Sequence, residues 1–409
     1  MKANYNNMKY PISNTVLYNI VEGYNLKAQN YSKSSFWSNF LLHGSHLWMD
    51  TGDLEKAKTL WTEEFTALTT NNTLINIEVQ KGKYDKVIND LSKQLSSLPI
   101  DEKVREISLC INAIHGLCLA KVFNCKVSVE LHTQLANDIE GTIQTAKRLF
   151  TIGGNHFIIK VPLTASGLIS AKRLHDEGVP VNLTLGFSTR QNVIASMVAK
   201  PSYSNVFLSR LDAYFTHPEL ADIHGVGKKV VDSTLHCMRK VSEQGYSSCQ
   251  LIVASIRNAE QLNSLMGADV LTIPWKVVAE AQSNELMTAT TEQEFACDEA
   301  LIVKYNLKHL WQVSDQEKNA AIKMSNKLPD NQSQVLELLN DLGCHNLFPE
   351  FTDEENELLA SDGKIPKHDY WNSRIENYTV GIDALLSAAG LKAFEKDQVE
   401  LDQRIADMI

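Results

Sequence analysis

The chain has 409 residues, of which 44% are hydrophobic, and it carries a formal net charge of -10 at pH 7. That length and composition allow one large domain with a substantial buried core and further structure appended to it. The negative net charge argues against nucleic acid or an anionic membrane as the main partner, so a small anionic substrate would need its own local cluster of arginines.

Cysteine usage and the N-terminus bear on where the protein works. The seven cysteines are odd in number and scattered, and none stands in a CxxC pair or at the Cys/His spacing of a metal site. The N-terminal sequence MKANYNNMKYPISN lacks the apolar segment of a signal peptide, and no segment approaches the roughly 18 uninterrupted apolar residues of a membrane span. These features predict reduced thiols, no metal site, no membrane span and, by default, a cytoplasmic protein.

Short apolar or alternating segments recur along the middle of the chain, and longer segments of helical period follow them. The eight candidate strands are HLWMD (46–50), TALTT (66–70), KVSVEL (126–131), FIIKVP (157–162), PVNLTL (180–185), SNVFLS (204–209), CQLIVAS (249–255) and DVLTIP (269–274). The clearest helical segments span residues 137–149, 164–177, 189–199, 227–244 and 258–266. Eight such units predict an α/β protein with a closed (β/α)8 barrel. No GxGxxG opens a helix after a strand, so a dinucleotide-binding domain is not supported.

The rhythm of strand and helix divides the chain into three parts. Residues 1–45 are polar and predict an N-terminal arm or short helices, and residues 46–283 form the predicted barrel. Residues 284–409 lose the rhythm and end in a stripe at helical spacing, formed by Leu391, Phe394, Leu401, Ile405 and Met408. We therefore expect a mainly helical C-terminal extension that packs against the barrel. One position we consider for it is over the mouth of the barrel.

Polar side chains occupy one alternation phase of the candidate strands, while apolar side chains occupy the other. The polar pairs are Thr69 with Asn71, Ser128 with Glu130, Asn182 with Thr184, and Ser255 with Arg257. Because active sites of such barrels lie at the C-terminal ends of the strands, polar groups gathered there from several strands predict a site.

Lys160 is the sharpest single feature, because it interrupts the apolar strand FIIKVP. A lysine is seldom buried without a partner or a function. Burial disfavours the ammonium form, so a neutral amine would be able to attack a carbonyl carbon and form a Schiff base. The alternative is a lysine whose stem packs against the strand while its head reaches water.

Charged residues at other strand ends suit the same chemistry. Asp50 and Glu130 are carboxylates in the position of general acids or bases beside an imine. A carboxylate there is also a common cap for the next helix, and we assign that role to Asp53, which directly precedes LEKAKTLW. Arg210 and Arg257 would form a two-armed phosphate clamp, although most arginines form ordinary surface ion pairs.

These segments together resemble the transaldolase family, from residue 50 to residue 274. The motifs that carry the resemblance are DTGDLEKAK, TTNNTL, VSVELHTQLANDIEGTI, FIIKVPLTASGLISAKRLHDEGVPVNLTLGFS, VFLSR and VASIRNAEQL. They stand in the family's order with compatible spacing. The resemblance implies a barrel enzyme that needs neither a metal nor an organic cofactor and that acts on sugar phosphates.

The resemblance also implies a role for each site residue. Lys160 would form the imine with C2 of a ketose phosphate, and Asp50 would take the proton of the C4 hydroxyl and return it to the acceptor aldehyde. Glu130 and Thr184 would hold the water that carries protons during imine formation and hydrolysis. The residues implied to bind substrate are Thr69, Asn71 and Asn182 at the dihydroxyacetone fragment, and Arg210, Ser255 and Arg257 at the distal phosphate.

Two positions favour a transferase over a simple aldolase within this resemblance. Phe207 would lie against the lysine pocket, where related fructose 6-phosphate aldolases typically carry tyrosine, and those aldolases tend to carry glutamine in place of Glu130. The resemblance thus implies transfer of a dihydroxyacetone unit from sedoheptulose 7-phosphate to glyceraldehyde 3-phosphate, which gives erythrose 4-phosphate and fructose 6-phosphate in the pentose phosphate pathway.

Three positions depart from the family pattern. Asn72 and Thr73 replace its Pro-Ser, and Asn205 replaces a serine that would contact the hydroxyl end of the donor. Asn72 is expected to loosen a turn that proline would restrict. Two alternatives therefore stay open: a divergent Schiff-base aldolase or transferase for a related sugar, and a non-catalytic barrel that binds sugar phosphates. For the assembly we consider a homodimer.

Overall fold

A computed structural model of the chain describes residues 10–283 and 294–409. Its centre is a closed barrel of parallel strands in the order β1 to β8, and β8 pairs with β1. The strands are β1 (His46–Asp50), β2 (Phe65–Thr69), β3 (Lys126–Glu130), β4 (Phe157–Pro162), β5 (Val181–Thr184), β6 (Tyr203–Phe207), β7 (Gln250–Ala254) and β8 (Val270–Pro274). The predicted (β/α)8 barrel is confirmed, and the predicted strands agree with the observed ones to within two residues at each end.

Helices follow the strands and surround the barrel. They are α1 (Asn14–Gly23), α2 (Ser35–Leu42), α3 (Leu54–Leu60), α4 (Asn72–Gln80), α5 (Asp85–Gln94), α6 (Ile100–Phe123), α7 (Ile139–Gly153), α8 (Ala165–Asp176), α9 (Thr189–Ala199), α10 (Leu208–Tyr214), α11 (Val226–Glu243), α12 (Ala259–Ser264) and α13 (Trp275–Ser283). No helix is predicted between β2 and β3, where α4, α5 and α6 lie. Helix α6 is long and apolar enough to cross a membrane, and most of it is buried inside the protein.

The apolar core has two parts, one inside the barrel and one around it. At the N-terminal end of the barrel, the lumen is filled by Trp48, Ala67, Ile158, Ile252 and Val270. The larger part lies between the strands and the helices. Apolar side chains thus fill the lumen at its N-terminal end. The polar residues that point into the lumen lie at its C-terminal end.

Helices also dominate the C-terminal region, as predicted. They are α14 (Glu299–Lys304), α15 (Lys308–Trp311), α16 (Asp315–Asn326), α17 (Gln332–Asp341), α18 (Asp353–Asp362), α19 (His368–Glu376) and α20 (Ile382–Ala406). The predicted stripe lies on α20 except for Met408, which follows its end, and Phe394, Leu401 and Ile405 are buried. The division of the chain at residues 45 and 283 stays a prediction.

A buried ion pair joins the barrel helices to this C-terminal region. Arg190 in α9 donates from Nε and Nη2 to the two carboxylate oxygens of Asp383 in α20, at 2.8 and 2.7 Å. Its Nη1 donates to Glu317 in α16 at 3.0 Å and to Asn346 at 2.8 Å. Arg190 is 1% exposed and Asp383 is fully buried. Burial alone raises the pKa of Asp383, but the charges of Arg190 and His309 outweigh it and hold that pKa well below its usual range.

Candidate active site

The residues of the candidate site stand on neighbouring strands in a single register. Glu130 lies opposite Lys160 across β3 and β4, and Lys160 lies opposite Asn182 across β4 and β5. Asp50 lies opposite Thr69 across β1 and β2. Since parallel strands carry paired residues on the same face, this register directs these side chains into one end of the lumen.

A cavity of about 360 Å³ opens at this end of the barrel. All but two of the predicted site residues line it, namely Asp50, Thr69, Asn71, Lys160, Asn182, Asn205, Phe207, Arg210, Ser255 and Arg257. The two exceptions, Glu130 and Thr184, are buried behind the wall and contact residues that do line it. The structure therefore brings the predicted residues together, while their roles stay predictions.

Lys160 lies in the cavity wall and is 5% exposed. Its Nζ is 3.6 Å from Oε1 of Glu130 and donates a hydrogen bond of 3.4 Å to the carbonyl oxygen of Thr70. The ring centroid of Phe394, on α20, is 5.5 Å from the same nitrogen. An amine so placed faces the cavity with little bulk water around it.

Glu130 is the buried partner of this amine. Burial raises the pKa of its carboxyl group and outweighs the opposing charge of Lys160. The backbone N–H of Asn72 donates to its Oε2 at 3.2 Å. A proline at position 72 would have no N–H to donate, so this departure from the family pattern adds a hydrogen bond to the carboxyl group.

Asp50 reaches the cavity from the end of β1. Burial raises the pKa of its carboxyl group, and the charge of Lys160 and a 3.5 Å hydrogen bond from Thr69 Oγ1 only partly offset this. A carboxyl group with a raised pKa holds its proton more readily, which suits it to act as an acid as well as a base. Asp53, by contrast, accepts hydrogen bonds from the N–H groups of Glu55 and Lys56, so the predicted cap is in place.

Three asparagine side chains, those of Asn71, Asn182 and Asn205, also line the cavity. Asn182 Nδ2 donates to Ser128 Oγ at 3.2 Å, and its Oδ1 is buried without a hydrogen-bond partner among the described residues. Asn205 Nδ2 donates to Thr184 Oγ1 at 3.1 Å, while its Oδ1 accepts from the N–H of Gly186 at 3.2 Å. Asn71 begins helix α4 as its cap, with its side-chain oxygen accepting from the N–H of Leu74.

Two arginines, Arg210 and Arg257, also line the cavity. Arg210 is 7% exposed and lies 4.7 Å from the ring centroid of Phe207. Its Nε and Nη1 are buried without hydrogen-bond partners among residues 10–283 and 294–409. Burial, together with the charge of Arg257, lowers the pKa of Arg210 to about 10. Ser255 adopts a left-handed backbone conformation with φ of 64°, which is uncommon for serine and typical of strained positions at functional sites.

Further residues line the cavity that were not predicted to belong to the site, among them Thr272, Lys276, Lys364 and Phe394. The alternation of β8 could have suggested Thr272, but Lys364 lies in a loop of the C-terminal region with no pattern around it. Phe394 was predicted only as part of an apolar helix stripe. The C-terminal region thus contributes directly to the cavity.

Fold and cavity together define a (β/α)8-barrel protein with a polar site at the C-terminal ends of its strands. A sequence model of the family described as transaldolase/fructose-6-phosphate aldolase matches residues 47–327. The chain belongs to this family.

Named relatives agree with this assignment. A transaldolase from Protochlamydia amoebophila is 32% identical over 238 residues, which cover 55% of this chain and 71% of that protein. A probable transaldolase from Desulfotalea psychrophila is 30% identical over 231 residues, which cover 56% of this chain and 94% of that protein. The matches support a transaldolase- or aldolase-type function.

The raised pKa of Asp50 has a measurable consequence for stability. A carboxyl group whose pKa is higher in the folded protein than in the unfolded chain costs stability once the pH exceeds the unfolded pKa of about 3.9. We therefore expect Asp50→Asn to raise the melting temperature at pH 8, by an amount that shrinks as the pH falls toward 4. Calorimetry across this pH range would measure the difference.

Asp53→Asn is the matched control for this prediction. Burial acts to raise the pKa of Asp53, but the N–H of Lys56 and the ammonium group of Lys81 outweigh it, so the pKa is lowered. Its replacement should lower the melting temperature slightly at pH 8, although asparagine also caps helices well. A destabilised Asp50→Asn protein at pH 8 would contradict our account of the site.

Proposed function

We propose that the protein is a transaldolase that transfers a dihydroxyacetone unit between sugar phosphates through a Schiff base on Lys160. The observation that carries the proposal is the position of Lys160, which is nearly buried, lines a cavity, lies 3.6 Å from the carboxyl group of Glu130 and interacts electrostatically with that of Asp50. A buried amine with acid and base groups near it is what imine chemistry requires.

The first half of the reaction would release an aldose phosphate. The neutral amine of Lys160 attacks C2 of the ketose phosphate, and the carbinolamine loses water to give the imine. Asp50 then takes the proton of the C4 hydroxyl as the C3–C4 bond breaks. The electron pair of that bond moves into the imine, which becomes an enamine, and the shortened aldehyde leaves.

The second half would run the same steps in reverse on a new aldehyde. Carbon 3 of the enamine attacks the acceptor carbonyl, and Asp50 returns its proton to the new hydroxyl oxygen. Water, held by Glu130 and Thr184, then hydrolyses the imine and frees Lys160. Because the lysine imine itself accepts the electron pair, the proposal needs neither a metal nor an organic cofactor.

The remaining cavity residues would hold the substrate in place. Asn182 lines the cavity and has a buried oxygen without a hydrogen-bond partner among the described residues, which suits a substrate hydroxyl group. Arg210 and Arg257 would hold the distal phosphate with Ser255. The substrates would be sedoheptulose 7-phosphate and glyceraldehyde 3-phosphate, in the cytoplasmic pentose phosphate pathway, and a homodimer is the assembly we propose.

A specific observation favours a second candidate, a divergent Schiff-base aldolase or transferase that acts on a related sugar. Asn205 lines the cavity where the family carries serine, and its amide group is hydrogen-bonded to Thr184 and Gly186. A larger side chain held in this place would change the space left for the donor. Steady-state rates separate the two candidates, because a divergent enzyme would be very slow with the standard donor and acceptor.

Borohydride trapping tests the proposed function directly. With fructose 6-phosphate as donor, we expect a reduced three-carbon adduct on the peptide that contains Lys160, together with transfer to erythrose 4-phosphate as acceptor. An adduct without transfer would favour the divergent enzyme. Folded protein that forms no adduct would rule out the Schiff-base mechanism and leave a barrel that only binds sugar phosphates.

A further inference from the structure

The loop between α18 and α19 brings a further cation to the cavity, which interacts electrostatically with Arg210 and Arg257. Its Lys364 lines the cavity together with Arg210 and Arg257. This loop lies beyond residue 327, where the match to the family ends. The family resemblance therefore says nothing about Lys364, and only the packing of the C-terminal region on the barrel places it there.

The three cations interact with one another and with nearby carboxylates. Burial and the charges of Arg210 and Arg257 lower the pKa of Lys364, and the charges of Asp397 and Asp50 offset this only in part. Of the carboxylates near these cations, Asp397 accepts a hydrogen bond from Thr73, and Asp50 and Glu130 lie next to Lys160. Like charges repel one another in a partly desolvated site unless an anion lies among them.

Helix α20 shows that the C-terminal region is fitted to this side of the cavity. Gly390 packs closely on Arg210. A Cβ atom added at Gly390 would lie 2.9 Å from Nη1 of Arg210 and 2.8 Å from Cδ2 of Leu185. The guanidinium group therefore lies against the helix, with Nε and Nη1 buried and unpaired among the described residues. Unpaired buried donors of this kind indicate a ligand that accepts hydrogen bonds.

We propose that Lys364 completes a three-cation site for the phosphate group of the substrate and sets the preference for phosphorylated over unphosphorylated sugars. This inference deepens the proposed function, on which it rests for the identity of the substrate. The binding of an anion by Arg210, Arg257 and Lys364 does not itself require the proposed reaction. A lysine ammonium adds a charged donor that turns to meet a phosphate oxygen, whereas the arginines fix its orientation.

The test compares three variants with the wild-type chain. Lys364→Met removes the charge and keeps most of the stem, and Lys364→Arg restores a charge. The matched control is Lys367→Met, because Lys367 lies in the same loop outside the cavity and is 3.8 Å from Asp362. Calorimetric titration with inorganic phosphate measures the anion site without reference to catalysis. Kinetics with glyceraldehyde 3-phosphate and with glyceraldehyde measure the preference.

We expect Lys364→Met to weaken phosphate binding and to raise KM for glyceraldehyde 3-phosphate, each by roughly tenfold, since one charge-assisted hydrogen bond is lost. With the phosphorylated donor at saturation, KM for glyceraldehyde should not change. Lys364→Arg should recover most of the affinity, and Lys367→Met should behave as wild type.

Unchanged phosphate binding by Lys364→Met would overturn this inference, as would an equal loss with glyceraldehyde. The proposed function would still stand in that case if wild-type Lys160 forms the borohydride adduct. If it forms no adduct, the proposed function fails, while phosphate binding that depends on Lys364 would still support the anion site.

Discussion

Lys160→Met is expected to reduce transaldolase turnover by a factor on the order of 10⁴ or more and to abolish borohydride trapping. Methionine keeps the length and volume of the lysine stem, so the barrel should remain folded. It removes the nitrogen that must bond to C2 of the donor, and no other group in the proposed mechanism can replace that bond. Single-turnover kinetics and mass spectrometry of the trapped protein would measure both effects.

Lys276→Met is the matched control for this experiment, because Lys276 also lines the cavity but is exposed and follows β8. It should retain trapping and most of the turnover. Lys160→Met removes the charge that opposes the effect of burial on Glu130, so the pKa of this carboxyl group should rise further. Trapping or turnover that persists in Lys160→Met would refute the assignment of the nucleophile.

The second large effect is expected on stability, at the ion pair between α9 and α20. Asp383→Asn should lower the free energy of unfolding at pH 7 by about 3 kcal/mol, because it leaves a buried arginine without its main counter-charge. The lowered pKa of Asp383 means that the pair stabilises the protein above the unfolded pKa of about 3.9 and loses this effect only as the pH falls below that value. Urea denaturation at several pH values would measure it.

Glu395→Gln provides the control on the same helix. Glu395 pairs with Lys392 at 2.8 Å, but both side chains are partly exposed. Its loss should cost about 0.5 kcal/mol or less, because solvent screens such pairs. Equal effects of the two substitutions would show that Arg190 and Asp383 do not hold the C-terminal region on the barrel. Since α20 carries Gly390 and Phe394 at the cavity, we also expect Asp383→Asn to raise KM.

Local pattern was enough to predict the barrel. The strands are short apolar segments, and the helix predicted over residues 227–244 lies within one residue of its observed bounds, because burial of one face imposes a period that the chain displays. The helices between β2 and β3 were not predicted from such a pattern. Helix α6 is buried on most sides, so it shows little contrast between a polar and an apolar face and gives a weak periodic signal.

Alternation along the strands also predicted which polar residues share the site, because the side-chain period of a strand is two and a closed barrel joins equivalent faces. The individual roles came from the motifs, whose spacing resembles that of one family. Thus the barrel, the position of Lys160 and most of the polar residues that line the cavity were determined by the sequence itself.

Only the tertiary structure decided what the C-terminal region does. Lys364 reaches the cavity through the packing of a loop more than two hundred residues after Lys160, and Arg190 meets Asp383 across a separation of 193 residues. Such contacts have no local period, because they depend on how complete elements pack against one another. The sequence therefore determined the site that the barrel builds, whereas the fold decided that segments beyond the barrel line its cavity and bring Lys364 to it.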